Sequence, residues 1–88
     1  MFGDVMFYTY VLRSLNDNHF YIGHTGDIEK RLKSHNSGKV RSTKGRRPLE
    51  LMYYEKYSSK GEARRREIFL KSGKGREFLA NKLGSKEG

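Results

Sequence analysis

The sequence predicts an α/β chain of the α+β type: a small three-stranded antiparallel sheet flanked by helices, in the order β-β-α-β-α-α. Three observations carry this. Two short β-prone segments, residues 7–12 and 19–23, flank the turn-forming run Leu15-Asn16-Asp17-Asn18. A helix with its own cap signal follows directly, and a third β-prone segment leads into a second capped helix at Ser59.

Each element has a local cause. In the first segment alternation puts Phe7, Thr9 and Val11 on one face and Tyr8, Tyr10 and Leu12 on the other. On the second, Phe20 and Ile22 share a face opposite His19, Tyr21 and Gly23, so Tyr10 and Tyr21 point the same way if the register allows. Thr25 or Asp27 caps the first helix, with Asp27 and Glu29 where the helix dipole favours negative charge. Ile28 and Leu32 face the sheet, and Gly38 is the stop. Residues 39–47 form a basic loop, and residues 49–54 form the third strand just after Pro48, which cannot donate to a central ladder. Ser59-Lys60-Gly61-Glu62 matches a capping box, opening a helix that runs to about Lys71. The Ser72-Gly73-Lys74-Gly75 break separates it from a short helix around Phe78, Leu79 and Leu83, and the last five residues, 84–88, are expected to fray.

Length and composition bound the function. At 88 residues the chain reads as one domain, 1–88, with its core at about 7–83. Only 34% of residues are hydrophobic, so the core relies on six Tyr and five Phe. The absence of cysteine excludes disulfides, thiolate metal sites and a thiol nucleophile. No apolar run approaches the ~20 residues of a membrane span and no secretory leader is apparent, so a soluble cytoplasmic protein is expected. Nineteen Lys and Arg against ten Asp and Glu give +9, a field that attracts polyanions. A merely solvating basic surface explains the charge nearly as well. Clustering favours nucleic acid: Lys39, Arg41, Lys44, Arg46 and Arg47 crowd the loop before the proline, and Arg64, Arg65 and Arg66 run together.

Four side chains with polar chemistry, Tyr10, Tyr21, Arg31 and His35, fall within 26 residues. Each has a bland explanation. Strand tyrosines usually pack, and Arg31 and His35, four apart on a helix, usually form an exposed polar face. Glu67 is harder to dismiss, because it shares a narrow helical stripe with Ala63 and Leu70, where an apolar residue belongs. A buried carboxylate needs a partner, either a structural cation such as Arg31 or another arginine, or a divalent metal.

Thr9-Tyr10-Val11, then Tyr21-Ile22-Gly23, then Arg31 ten residues after Tyr21, resemble the signature of the GIY-YIG nuclease superfamily. The run from Tyr21 to Gly38, together with Leu51-Met52-Tyr53-Tyr54-Glu55 and the stretch from Lys60 to Glu67, is similar to its small bacterial single-domain members. The first triplet departs from Gly-Ile-Tyr, so matching Tyr10 to the family's first tyrosine rests on strand register. The resemblance implies a metal-dependent endonuclease that hydrolyses DNA phosphodiesters, structure-selective or weakly sequence-specific, in repair, recombination or defence, with one divalent metal, Mg²⁺ or Mn²⁺. It implies Tyr21 beside the attacking water, as base or as the group that positions it, and Tyr10 orienting water or substrate. Arg31 would neutralise the scissile phosphate, Glu67 would hold the metal, and His35 would share the proton transfer. His24 falls at a position often basic in relatives and would contact substrate with Lys39, Arg41, Lys44, Arg46 and Arg47.

This assignment is chemically coherent. A fixed guanidinium and a metal stabilise charge that accumulates on phosphate oxygens in the transition state. A free phenol, with a pKa of ~10, is a poor base at neutral pH, so Arg31 and His35 are expected beside Tyr21. The second open class is a non-catalytic nucleic-acid-binding module on the same fold. In either class contacts go mainly to phosphates, which predicts weak sequence preference and steep salt dependence, with DNA the expected partner and RNA still open. A nucleotide-binding loop at Gly73-Lys74-Gly75 is disfavoured, because the spacing and the preceding strand are missing.

Overall fold

The computed structural model describes residues 5–84. The elements are β1 (Phe7–Ser14), β2 (Phe20–Thr25), α1 (Ile28–Asn36), a 3-10 turn (Arg41–Arg46), β3 (Leu49–Tyr57), α2 (Lys60–Leu70) and α3 (Gly73–Leu83). The predicted order and the antiparallel three-stranded sheet are both present, with strand order β2-β1-β3. Among the described residues no helix is long and apolar enough to cross a membrane.

Alternation on β1 divides the core between the two faces of the sheet. Tyr10 and Leu12 pack with Leu49, Tyr21, Leu32 and Leu51 on the face that α1 covers. Val11 packs with Leu70 and Leu79, joined by Phe20, Ile22 and Tyr53, on the face covered by α2 and α3. Thr9 is buried on that second face, where its hydroxyl donates to the Ala63 carbonyl at 2.7 Å and ties α2 to the central strand.

Register settles where the tyrosines point. Tyr10 lies opposite Gly23 and Leu12 opposite Tyr21, so both phenols are on the α1 face. Gly23 is required by this packing, since a Cβ there would run into the Tyr10 hydroxyl. The hairpin tip is fixed locally: Ser14 Oγ accepts from the amides of Asn16 and Asp17 at 3.0 Å, Asp17 Oδ1 accepts from the His19 amide at 2.9 Å, and Asn18 takes φ 63°.

Both helix caps use the residues read from the sequence. Asp27 accepts from the Lys30 amide at 3.1 Å, and Ser59 accepts from the Glu62 amide at 3.2 Å. The reciprocal half of the box differs: Glu62 Oε1 receives the hydroxyls of Ser58 and Ser59, at 3.3 and 3.1 Å.

Two segments depart from expectation. The basic loop contains the ordered 3-10 turn, because side chains of the hairpin tip hold its carbonyls: Ser14 Oγ donates to Arg46 O at 2.6 Å, and Asn16 Nδ2 donates to Gly45 O at 3.2 Å. The glycine-rich break at 72–75 is mostly helix. Ser72 caps α3 by accepting from the Gly75 amide at 3.2 Å, and Gly75 lies against the Phe69 carbonyl and the Leu70 backbone, where a Cβ would collide. The glycine serves close helix packing rather than chain reversal. Gly84 ends α3 in the left-handed conformation at φ 62°, and the rest of the predicted frayed end, residues 85–88, lies outside the described residues.

Candidate active site

A cleft runs along the free edge of β2. Because β2 is an edge strand, groups from both faces of the sheet reach it. Tyr10, Tyr21, Arg31 and His35 come from the α1 side, and His24, Glu67 and Lys71 from the α2 side. The five residues Tyr10, Tyr21, Arg31, His35 and Glu67 singled out from sequence thus line one cleft.

Within the cleft the two tyrosines have opposite company. The Tyr10 hydroxyl accepts from Arg31 Nε at 3.1 Å and lies 3.1 Å from His35 Nε2. His35 is buried, and its Nδ1 is 2.8 Å from Thr43 Oγ1, itself 1% exposed. Burial, with Arg31 nearby, holds the imidazole below its ordinary value, so it is neutral at neutral pH. Tyr21 instead donates to Asp17 Oδ2 at 3.0 Å. Burial and that carboxylate push the Tyr21 phenol up. Asp17 is held down, chiefly by the His19 amide, and also lies 3.4 Å from Arg46 Nε.

This differs from the sequence expectation. The sequence predicts Arg31 and His35 beside Tyr21, whereas their hydrogen bonds go to Tyr10. The reason is the register: Gly23 leaves the space that the Tyr10 ring fills, and Tyr21 is captured by the hairpin's own aspartate.

Of the two kinds of partner open to Glu67, a structural cation or a metal, the contacts present are to His24 and Lys71 rather than to an arginine. Glu67 Oε1 is 2.5 Å from His24 Nδ1, and its Oε2 accepts from Lys71 Nζ at 2.7 Å. Partial burial pushes the carboxyl up, but these two hydrogen bonds and charges outweigh it and leave the group below its ordinary value. His24, expected to touch substrate, is engaged with Glu67 because position 24 is on the opposite face from Tyr21 and so looks toward α2.

The basic residues divide as well. Lys39, Arg41 and Lys44 are exposed. Arg46 pairs with Asp17, and Arg47 Nε turns back onto the Lys44 carbonyl at 2.8 Å. From the triple-arginine run, Arg64 and Arg65 face solvent while Arg66 grips Glu55 through Nε at 2.8 Å and Nη2 at 3.1 Å.

Sequence reasoning missed Asp17, Thr43 and Lys71. Asp17 reads as an ordinary turn residue, and Thr43 is a small hydroxyl lost among cations. Lys71 carried the clearest signal, being one helical turn beyond Glu67.

Comparison with known proteins identifies the family and the fold. The model of the GIY-YIG catalytic domain matches residues 6–82. The UPF0213 protein YazA of Bacillus subtilis is 44% identical over 75 residues, covering 81% of this chain and 76% of that protein. A UPF0213 protein of Staphylococcus haemolyticus is 46% identical over 66 residues, covering 74% and 79%. The solution NMR structure of a UPF0213 protein from Bacillus halodurans superposes with a TM-score of 0.54 at 36% identity, covering 91% of this chain and 87% of that one. With most of its length matched by the catalytic-domain model and its fold shared with a UPF0213 protein, the chain belongs to the GIY-YIG family.

Proposed function

We propose that the protein is an endonuclease that hydrolyses DNA phosphodiester bonds with weak sequence preference, using one divalent ion, Mg²⁺ or Mn²⁺. The observation that carries this reading is the Tyr10 hydroxyl, held between the Arg31 guanidinium and the imidazole of His35. His35 is neutral and takes the phenol proton at Nε2, and the phenolate oxygen then accepts a proton from the attacking water. Arg31 offsets charge on the Tyr10 oxygen through Nε, and its exposed end presents the remaining N–H donors to a nonbridging phosphate oxygen. Tyr21 keeps its proton, directed at Asp17, so its free lone pair receives a hydrogen bond from the water and orients it.

Glu67 is the residue that would hold the ion. Among the described residues no three His, Cys, Asp or Glu gather as a metal cage. A single carboxylate in an open, wet cleft suits a small hard cation that keeps most of its own waters, as Mg²⁺ does. Such an ion supplies charge neutralisation at the phosphate and leaving oxygen. For the carboxylate to take up this role, His24 and Lys71 must release at least one of its oxygens.

Purified protein should nick supercoiled or branched DNA with Mg²⁺ or Mn²⁺, and Tyr10→Phe, Arg31→Ala and Glu67→Gln should abolish nicking while DNA binding persists. The alternative, a non-catalytic nucleic-acid-binding module, draws support from the two partners, His24 and Lys71, that already occupy Glu67. Wild-type protein that binds DNA but cuts no plasmid, flap or junction under either metal decides for the module. In both cases the exposed Lys39, Arg41 and Lys44 make affinity fall with salt, with a log–log slope of about −0.9 per phosphate contacted.

A further inference from the structure

The cluster around His35 contains one more polar group than proton transfer requires. Thr43 is 1% exposed, lies in the 3-10 turn, and directs its hydroxyl at His35 Nδ1 from 2.8 Å. A hydroxyl at the one buried position of a turn whose other residues, three cations, Ser42 and Gly45, are exposed needs an explanation, since leaving it unpaired would be costly.

The donors fix the direction of the whole chain of hydrogen bonds. Arg31 Nε can only donate, so it occupies a lone pair of the Tyr10 oxygen. The Tyr10 proton then needs an acceptor, and His35 Nε2, at 3.1 Å, is in place to accept it. A neutral imidazole that accepts at Nε2 carries its proton on Nδ1. That proton goes to Thr43 Oγ1, whose own hydrogen is directed to the Val40 carbonyl at 3.5 Å. The reverse arrangement, with the proton on Nε2, would leave the buried Tyr10 hydroxyl hydrogen without an acceptor and His35 unable to receive it.

We infer that Thr43 is a positioning residue that fixes His35 in the Nδ1–H tautomer, so that Nε2 faces Tyr10 as a proton acceptor. Its consequence for rate rests on the nuclease reading above, whereas the tautomer itself does not. The assignment also gives the order of the basic turn, held by Ser14 and Asn16, a use. The segment that offers Arg41 and Lys44 to a polyanion also carries the hydroxyl that orients the imidazole, so the turn must hold one conformation.

Long-range ¹H–¹⁵N spectra of ¹⁵N-labelled protein at neutral pH read the tautomer directly. Wild type and Thr43→Ser should show His35 protonated on Nδ1, and Thr43→Val should lose that preference. Nicking kcat should fall about 10- to 100-fold in Thr43→Val with KM little changed, and Thr43→Ser should restore it. His35 protonated on Nε2 in the wild type overturns the inference. So does a Thr43→Val protein that keeps both the Nδ1–H tautomer and the wild-type rate. If Thr43→Val does not fold, the wild-type and Thr43→Ser spectra still decide the assignment. If wild type nicks nothing, the nuclease reading fails while the tautomer still supports or overturns the role of Thr43.

Discussion

Glu55 and Glu67 are two carboxylates on the α2 side of the same sheet, with nearly equal side-chain exposure of 16% and 17%. Both are held below the ordinary glutamate value against the opposing pull of burial. Their partners separate them. Glu55 receives both Nε and Nη2 of Arg66, together with the hydroxyls of Tyr53 at 2.5 Å and Tyr57 at 2.7 Å. The Arg66 guanidinium is in turn covered by the rings of Phe69 and Phe78, so the network is closed and apolar on its outer side. Glu67 is held by one imidazole and by a lysine that is 53% exposed, and it opens onto the cleft. Burial alone therefore does not mark a site. A permanently charged fork clamps a carboxylate into the structure, whereas a titratable ring and a solvated ammonium leave it free to change partners.

The comparison can be broken most severely by neutralising each carboxylate in turn. Glu67→Gln should lower nicking by about 10²- to 10³-fold, the scale for losing a principal electrostatic group, while the melting temperature moves little. Glu55→Gln should do the reverse. It leaves Arg66 without its anion in a half-buried place, costing about 2–3 kcal/mol after allowance for the 29% exposure of Arg66, or a fall in melting temperature of about 10–20 °C. Equal effects of the two variants on stability and on nicking, read by calorimetry and a plasmid assay, would erase the distinction.

Acid sharpens it next. Because the folded carboxyl of Glu55 is held below its ordinary 4.5, the stability it contributes is present above that value and is lost as pH falls through the lower folded value. The melting temperatures of wild type and Glu55→Gln should therefore converge only well below pH 4.5. His35 answers over a higher range. Its folded value lies below 6.5, so the neutral, proton-accepting form persists as pH drops through 6.5 and is lost further down, and the acid limb of the nicking profile should lie below 6.5. Burial of the imidazole, together with the Arg31 guanidinium that faces the same cluster through Tyr10, keeps this limb low.

Lys71→Ala is expected to have the smallest effect on stability. An exposed lysine one turn from its carboxylate contributes about 0.3–0.5 kcal/mol, so stability should hardly change. Removing it frees one oxygen of Glu67, and a modest gain in apparent Mg²⁺ affinity, measured by titration, should accompany that.

Much of this was legible in the sequence because it follows from short-range rules. Alternation placed Tyr10 and Val11 on opposite faces, and Asp27 and Ser59 announced their helices through cap chemistry. Glu67 stood out because a charge interrupted an apolar stripe between Ala63 and Leu70. What escaped depends on contacts between distant segments. No local pattern says that Asp17 captures Tyr21, that Thr43 reaches across eight positions to His35, or that Arg66 turns inward while Arg64 and Arg65 stay in water. Gly75 misled for the same reason: glycine looks identical in a chain break and in a close helix contact, and only the Phe69 and Leu70 backbone tells them apart.

The central claim, that Glu67 is an exchangeable carboxylate serving a metal while Glu55 is a fixed structural one, is tested most directly by titrating ¹⁵N-labelled protein with Mn²⁺ and following paramagnetic line broadening. Broadening should centre on the amides around Glu67 and His24, spare Glu55, and disappear in Glu67→Gln. Broadening that centres on Glu55, or that persists unchanged in Glu67→Gln, would contradict the account.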